Sequence, residues 1–118
     1  YGFELRMITP SLSQEVTRLH ADICSGLAEP NRILILYVLA EKSRNVSEVS
    51  REIGISQPAA SRHLLILRER GIVSATRKGQ SMVYRLSDPR IIQALDLLRN
   101  VLADQLKTQA QLAESAFE

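Results

Sequence analysis

The chain has 118 residues, 45% of them apolar, which suits a single domain over residues 1–118, and no apolar run approaches the roughly 18 residues of a membrane span. One cysteine, Cys24, excludes an internal disulfide, and five aromatic residues are too few for a single-strand binder that stacks bases. The formal net charge of +2 conceals an uneven distribution, since residues 51–90 hold eight basic and three acidic side chains.

The first predicted element is an amphipathic helix over residues 11–26. No basic-then-apolar secretory signal precedes it, so we expect a cytoplasmic protein. The apolar stripe must bury itself against a partner. Its members repeat at helical spacing behind Pro10: Leu12, Val16, Leu19 and Ile23.

His20 and Cys24 lie four residues apart on this helix, so both could touch one ion. Two such ligands per subunit would give a dimer a four-ligand site that suits zinc. The alternative is that Cys24 is buried beside the apolar stripe, as free cysteines usually are. We favour burial and predict no metal and no cofactor, while a metal or redox role for Cys24 stays an open hypothesis.

A second helix begins near Pro30, which fits a first-turn position. The residues from Ile33 to Leu39 make it apolar over much of its circumference. This pattern predicts the central helix of the core.

Residues 46–71 predict a helix-turn-helix. Its short first helix has Ser47 as the expected N-cap, and Gly54 supplies the left-handed turn that ends it. Ser56 caps the second helix, and Gly71 stops it.

The second helix of this pair has a small, polar outward face, typical of a helix that approaches DNA closely. Gln57 and Arg62 can offer donors there, whereas Leu65 and Ile66 must either be covered by another element or protrude. At 100° per residue, the sector expected on the core holds Ala60, Leu64, Leu67 and Gly71, and the opposite sector holds Pro58, Arg62 and Glu69.

Residues 72–87 predict a β-hairpin wing, with strands over 72–76 and 82–86 and a turn at Lys78 and Gly79. Arg77 and Lys78 would place basic charge over DNA phosphates or in the minor groove. The alternative is a charged turn that only keeps the hairpin soluble.

A last helix is predicted over residues 89–113, longer than a small domain needs to cover its core. With the first helix it could form the interface of a two-fold dimer, which would place two DNA-reading helices about 34 Å apart. Packing within one chain is the alternative. The predicted interface residues are Leu12, Val16, Leu19, Ile23, Leu95, Leu98, Leu102 and Leu106.

Three stretches resemble the ArsR/SmtB family of winged-helix repressors: Leu27–Leu36, Ser56–Leu64 and Leu67–Val73. The resemblance implies a homodimer joined through its first and last helices, a palindromic operator and release by an effector, whose identity stays unknown. It places Arg77 and Lys78 on the wing. The recognition-helix positions that it implies are Ser56, Gln57, Pro58, Ala59, Ser61, Arg62 and His63.

The chain also departs from that family. Members often carry a basic residue where this chain has Leu65, and many bind metals through paired cysteines on the first helix of the helix-turn-helix or through Asp and His on the last helix. Residues 47–53 contain no cysteine, and residues 90–118 contain neither cysteine nor histidine. Both familiar metal sites are therefore missing, and an intersubunit pair of Cys24 residues stays open.

The predicted fold class is mainly α with a small β-hairpin, a winged helix-turn-helix dimerised through its terminal helices. The predicted function is a sequence-specific regulator of double-stranded DNA, acting as a repressor and not as an enzyme, since no catalytic constellation is recognisable. His63 is interpreted as a DNA contact or an exposed helix residue. The alternative function is a winged-helix protein-interaction module, in which Leu65 and Ile66 would contact a partner protein.

Overall fold

The computed structural model describes residues 8–117. The chain divides into two compact units, residues 1–87 and 88–118, and the prediction of one domain stays a prediction. The elements in chain order are α1 (Pro10–Leu19), a π-helical segment (His20–Cys24), α2 (Ser25–Leu27), α3 (Pro30–Glu41), β1 (Arg44–Asn45), α4 (Val46–Ile53), α5 (Gln57–Glu69), β2 (Val73–Lys78), β3 (Ser81–Leu86) and α6 (Arg90–Ser115).

The predicted first helix is present but is not α-helical throughout. Thr9 caps it, because its hydroxyl accepts a hydrogen bond from the Leu12 amide at 3.0 Å, and Pro10 occupies the first turn. Between α1 and α2, the amide of Ser25 bonds to the carbonyl of His20, five residues earlier, which defines the π segment. An apolar stripe alone does not encode such a wider turn.

The core of the first unit is built around α3, as predicted. Pro30 stands at its first turn, and its inner face buries Ile35, Leu36 and Leu39. Each fully buried aliphatic side chain contributes about 1.5–3 kcal/mol. The other buried apolar residues of this unit are Val49, Ala60, Leu64, Leu67, Ile72 and Val73.

The N-cap of α4 is Asn45, so the prediction of Ser47 was wrong. The Asn45 side chain accepts from the Glu48 amide at 2.9 Å, and the Glu48 carboxylate accepts from the Asn45 amide at 3.1 Å. This reciprocal capping box satisfies two amides at once, whereas a Ser47 cap would have satisfied one. Gly54 ends the helix with φ 72°, as predicted.

Helix α5 begins and ends where the sequence predicts. The Ser56 hydroxyl accepts from the Ala59 amide at 3.2 Å, and Gly71 follows the helix with φ 75°. The expectation that Gly71 faces the core is wrong, because it is exposed beyond the helix end, where 100° per residue no longer applies. The rest of the expected inner face is fully buried: Ala60, Leu64 and Leu67.

The wing is part of a three-stranded antiparallel sheet in the order β1-β3-β2. Strands β2 and β3 are longer than predicted, and the turn lies at Gly79 and Gln80 instead of Lys78 and Gly79. The short β1 was not predicted, because a two-residue strand is too short for an alternating pattern. It pairs Arg44 with Tyr84 and Asn45 with Val83.

The second unit consists mainly of α6, which has 26 residues and extends two residues beyond its predicted end. Every described residue from 96 to 117 is exposed. None of the described helices is by itself long and apolar enough to span a membrane, although one bent pair, Pro10–Leu27 with Pro30–Glu41, passes that test by length and composition.

Candidate nucleic-acid interface

The first two turns of α5 present small and polar groups away from the core. Proline and serine at these positions keep side chains short, so a duplex could approach the helix backbone closely. The amides of the first turn also bear the positive end of the helix dipole, which favours phosphate. The exposed residues here are Ser56, Gln57, Pro58, Ser61 and Arg62, and Ala59 is half-buried.

A contact with α4 orients Gln57. Its Nε2 donates to the Ser47 Oγ at 3.1 Å. One amide hydrogen is thereby used, and the remaining hydrogen and the carbonyl form the donor–acceptor pair with which glutamine reads a base edge. Sequence reasoning gave Ser47 a capping role, and only the packing of α4 against α5 shows this contact.

His63 differs from the other predicted recognition residues. Its side chain is only 18% exposed, so the interpretation as an exposed helix residue is wrong. The ring lies on the flank of α5 that faces the start of α3. Its Nε2 is 3.7 Å from a Glu29 carboxylate oxygen, and its Nδ1 is 3.5 Å from the Arg32 guanidinium.

Arg32 extends this polar junction to the end of the first helix. Its Nε donates to the Gly26 carbonyl at 2.7 Å, and its Nη2 donates to the Ser25 carbonyl at 3.3 Å. Glu29 caps α3 by accepting from the Arg32 amide at 3.2 Å. The His63 ring therefore contacts groups that link α5 to the join between α2 and α3.

On the wing, Arg77 and Lys78 are both exposed near the turn, but they point in opposite directions. Consecutive strand residues alternate between the faces of a sheet. The register pairs Arg77 with Met82 and Lys78 with Ser81. The hairpin therefore offers one of these cations to each of its faces.

Arg85 is a further exposed cation of the wing that sequence reasoning did not select. Its Nη1 donates to the Thr76 Oγ1 across the strands at 2.7 Å. Because Arg85 pairs with Ser74, two residues from Thr76, it shares the face of Lys78. Strand register, which the sequence alone left open, was needed to find it.

A groove of about 300 Å³ brings helix and wing together. Ser61 of α5, Ser47 of α4 and Tyr84 of β3 all line it. Hydroxyl and amide groups line much of the groove. Its full lining is Asn45, Val46, Ser47, Ser61, Gln80, Ser81, Met82 and Tyr84.

Most of the predicted dimer residues carry exposed apolar surface. The exception is Leu95, which is 6% exposed, and its assignment to the interface stays a prediction. Ile23 is half-buried. The exposed members are Leu12 and Val16 and Leu19 on α1, at 38%, 51% and 49%, and Leu98, Leu102 and Leu106 on α6, at 63%, 54% and 55%.

Cys24 is exposed, so the interpretation that it is buried beside the apolar stripe was wrong. The apolar stripe beside which burial was expected is itself exposed at Leu12, Val16 and Leu19. Over residues 8–117 no group of three or more His, Cys, Asp or Glu side chains could hold a metal ion.

Residues 29–75 match the family described as bacterial regulatory protein, arsR family. The chain is 36% identical over 103 residues to the uncharacterized HTH-type transcriptional regulator Rv0081 of Mycobacterium tuberculosis, covering 86% of this chain and 90% of that protein. It is 33% identical over 87 residues to the biofilm growth-associated repressor of Xylella fastidiosa, covering 74% and 76%.

Solved structures show the same fold. The crystal structure of Rv0081 superposes with a TM-score of 0.70 at 32% identity, covering 87% of this chain and 99% of that one. The solution structure of the homodimeric winged helix-turn-helix DNA-binding domain of Mb0332 from Mycobacterium bovis gives a TM-score of 0.72 at 24% identity, covering 87% and 94%.

Proposed function

Because the chain belongs to the ArsR family of bacterial regulatory proteins, we propose that it represses transcription by binding a palindromic operator as a homodimer. It is a DNA-binding transcriptional regulator with a winged helix-turn-helix, and its relatives are regulators, not enzymes. Its place of action in this proposal is the cytoplasm, where a bacterial chromosome is accessible.

The observation that carries the proposal is the groove that Ser61 of α5 lines together with the wing residues Gln80, Ser81 and Met82. Arg62 supplies an exposed guanidinium on the outward face of α5, and the eight basic side chains of residues 51–90 favour binding to phosphate. Arg77 and Lys78 would contact the flanking backbone. His63 would not contact DNA directly, because its ring contacts Glu29 and Arg32 inside the protein. The proposed DNA contacts of α5 are Ser56, Gln57, Pro58, Ala59, Ser61 and Arg62.

Repression is supported by two relatives that are named as repressors. The Xylella fastidiosa protein is a repressor, and a probable mercury resistance operon repressor of Streptomyces lividans is 36% identical over 94 residues, covering 76% of this chain and 75% of that protein. A bound dimer would block the promoter. No effector is assigned, because the chain lacks the family's familiar metal ligands.

The homodimer is supported by the exposed apolar stripes of α1 and α6 and by the homodimeric state of Mb0332. Leucine side chains that are more than half exposed on a long helix favour burial against a second copy. A two-fold pair would place two α5 helices one DNA turn apart, about 34 Å, which is why the operator is proposed to be palindromic.

The test begins with selection of bound duplexes from a random-sequence library, followed by fluorescence anisotropy on the selected duplex. Arg62→Ala and Arg77→Ala should each weaken binding about tenfold, as expected for removal of one DNA contact. Arg99→Ala, which removes the same charge from α6, should bind like the wild type. Unchanged affinity in both Arg62→Ala and Arg77→Ala would favour the protein-interaction module instead.

A further inference from the structure

Leu65 is an exposed leucine on the outward side of the recognition helix. Its side chain is 54% exposed, whereas its neighbour Leu64 is fully buried. A single exposed leucine is ordinary on a protein surface, so Leu65 is singled out by its place on α5 and not by its exposure alone.

The position of Leu65 on α5 matches that of a base-reading side chain. Pro58, Ser61, Arg62 and Leu65 stand at helical spacings of zero, three, four and seven, which line one face. The homeodomain recognition helix reads bases in the major groove from four positions with the same spacing. Leu65 therefore extends, by one helical turn, the surface that the proposed function places against DNA.

The chemical groups in the DNA major groove determine which base a leucine can recognise there. The major-groove edges of guanine, adenine and cytosine present donors and acceptors, and the apolar group of this groove is the C5-methyl of thymine. Leucine neither donates nor accepts hydrogen bonds, so against any other edge it would remove water without replacing it. Against a thymine methyl, both partners bury apolar surface.

We propose that Leu65 reads a thymine in each operator half-site through the C5-methyl group. This inference rests on the proposed function and adds to it a base preference. Arg62 and Arg68 lie about one helical turn before and after Leu65, and both are exposed. Their positive charges can bind phosphates of the DNA backbone. Ile66 stands beside Arg62 on the flank of this face and is half-buried, so it offers less apolar surface than Leu65.

The experiment uses deoxyuridine, which keeps the hydrogen-bonding edge of thymine and lacks its methyl group. A set of duplexes of the selected operator carries deoxyuridine at one thymine of each half-site at a time. For one duplex of the set, the affinity of the wild-type protein should be lower than for the parent duplex by about fourfold per half-site. This is the effect expected for loss of one buried methyl group. Leu65→Ala should bind the parent duplex more weakly and show no further loss with that substituted duplex.

Arg62→Ala is the matched control, because it also weakens binding but should keep the deoxyuridine effect. Thermal unfolding by circular dichroism establishes that Leu65→Ala is folded, which the exposure of the side chain favours. Equal wild-type affinity for every substituted duplex, or a full deoxyuridine effect in Leu65→Ala, would overturn the thymine contact and leave the regulator intact. Failure to select any duplex would overturn both.

Discussion

At the scale of single residues, the contacts of Arg44 differ in how much they contribute to stability. Its side chain is 8% exposed, while its partners Glu41 and Glu52 are 73% and 52% exposed. Ion pairs with such exposed carboxylates contribute little, at most about 1 kcal/mol. The Arg44 Nε also donates to the Val38 carbonyl at 3.3 Å, and this bond and the buried stem fix the end of α3.

Replacement of Arg44 should therefore destabilise the protein far more than replacement of its partners. We expect Arg44→Ala to lower the free energy of unfolding by about 2–3 kcal/mol, through lost packing and an unsatisfied carbonyl. Glu41→Ala should lower it by less than about 1 kcal/mol. Urea unfolding of both variants measures the difference, and equal losses would mean that the ion pair dominates.

Asp88 is the residue whose titration the structure perturbs most clearly. Hydrogen bonds from the Arg90 side chain, at 2.7 Å for Nη2, and from its amide, at 2.9 Å, lower the pKa of Asp88 to about 2. Because the folded pKa is depressed, the stabilising contribution of this carboxylate is present above its unfolded pKa of about 4 and is lost as pH falls through about 2.

Removal of the guanidinium should return this carboxyl toward its ordinary behaviour. In Arg90→Ala we expect a higher pKa for Asp88, because the side-chain hydrogen bonds and the positive charge are gone. Arg99→Ala, an arginine elsewhere on α6, should leave the pKa of Asp88 at about 2. NMR titration of the side-chain carboxyl carbon would report both, and an unchanged pKa in Arg90→Ala would contradict the assignment.

At the scale of elements, the start of α4 depends on the pair Asn45 and Glu48. Because the capping box satisfies two otherwise unpaired amides, Asn45→Ala should lower the free energy of unfolding by about 1 kcal/mol. Ser47→Ala should change it by no more than about 0.5 kcal/mol, since its exposed bond to Gln57 is a surface contact. Chemical denaturation compares the two, and a larger loss in Ser47→Ala would restore serine as the cap.

The elements also show what a sequence can encode locally. Ser56, Gly54 and Pro30 mark helix ends because their backbone preferences act within a few residues, and the inner face of α5 follows from helical period alone. The short β1, the π segment and the place of His63 depend on partners distant in the chain. Tyr84 pairs with Arg44, which is forty residues earlier in the chain, and a local sequence pattern cannot predict such a pairing.

The candidate site divides in the same way. The outward residues of α5 and the cations of the wing were predictable from type and spacing. Ser47, Gln80 and Arg85 were not, because their nearness to α5 or to the wing face depends on packing and strand register. Residue type likewise could not show that Cys24 is exposed, since exposure depends on which elements pack against the first helix.

At the scale of the whole molecule, the exposed leucines predict that the free subunit associates. A glutamate at Leu98 would have to be buried without a partner in a dimer, so Leu98→Glu should weaken self-association by at least about 100-fold. Asn100→Glu, which adds the same charge away from the apolar face, should not. Sedimentation at micromolar concentration measures both, and an undisturbed dimer in Leu98→Glu would place the interface elsewhere.

The polar junction around His63 joins the first helix, the start of α3 and α5 through one guanidinium. Arg32 binds the last carbonyls of the first helix and also contacts a ring carried by the helix proposed to enter DNA. A small molecule that displaced Ser25 and Gly26 would remove acceptors from that guanidinium and change what the His63 ring contacts. The position of the N-terminal helix and that of the helix proposed to enter DNA are thus tied to the same side chain, and a change at Arg32 would be felt by both.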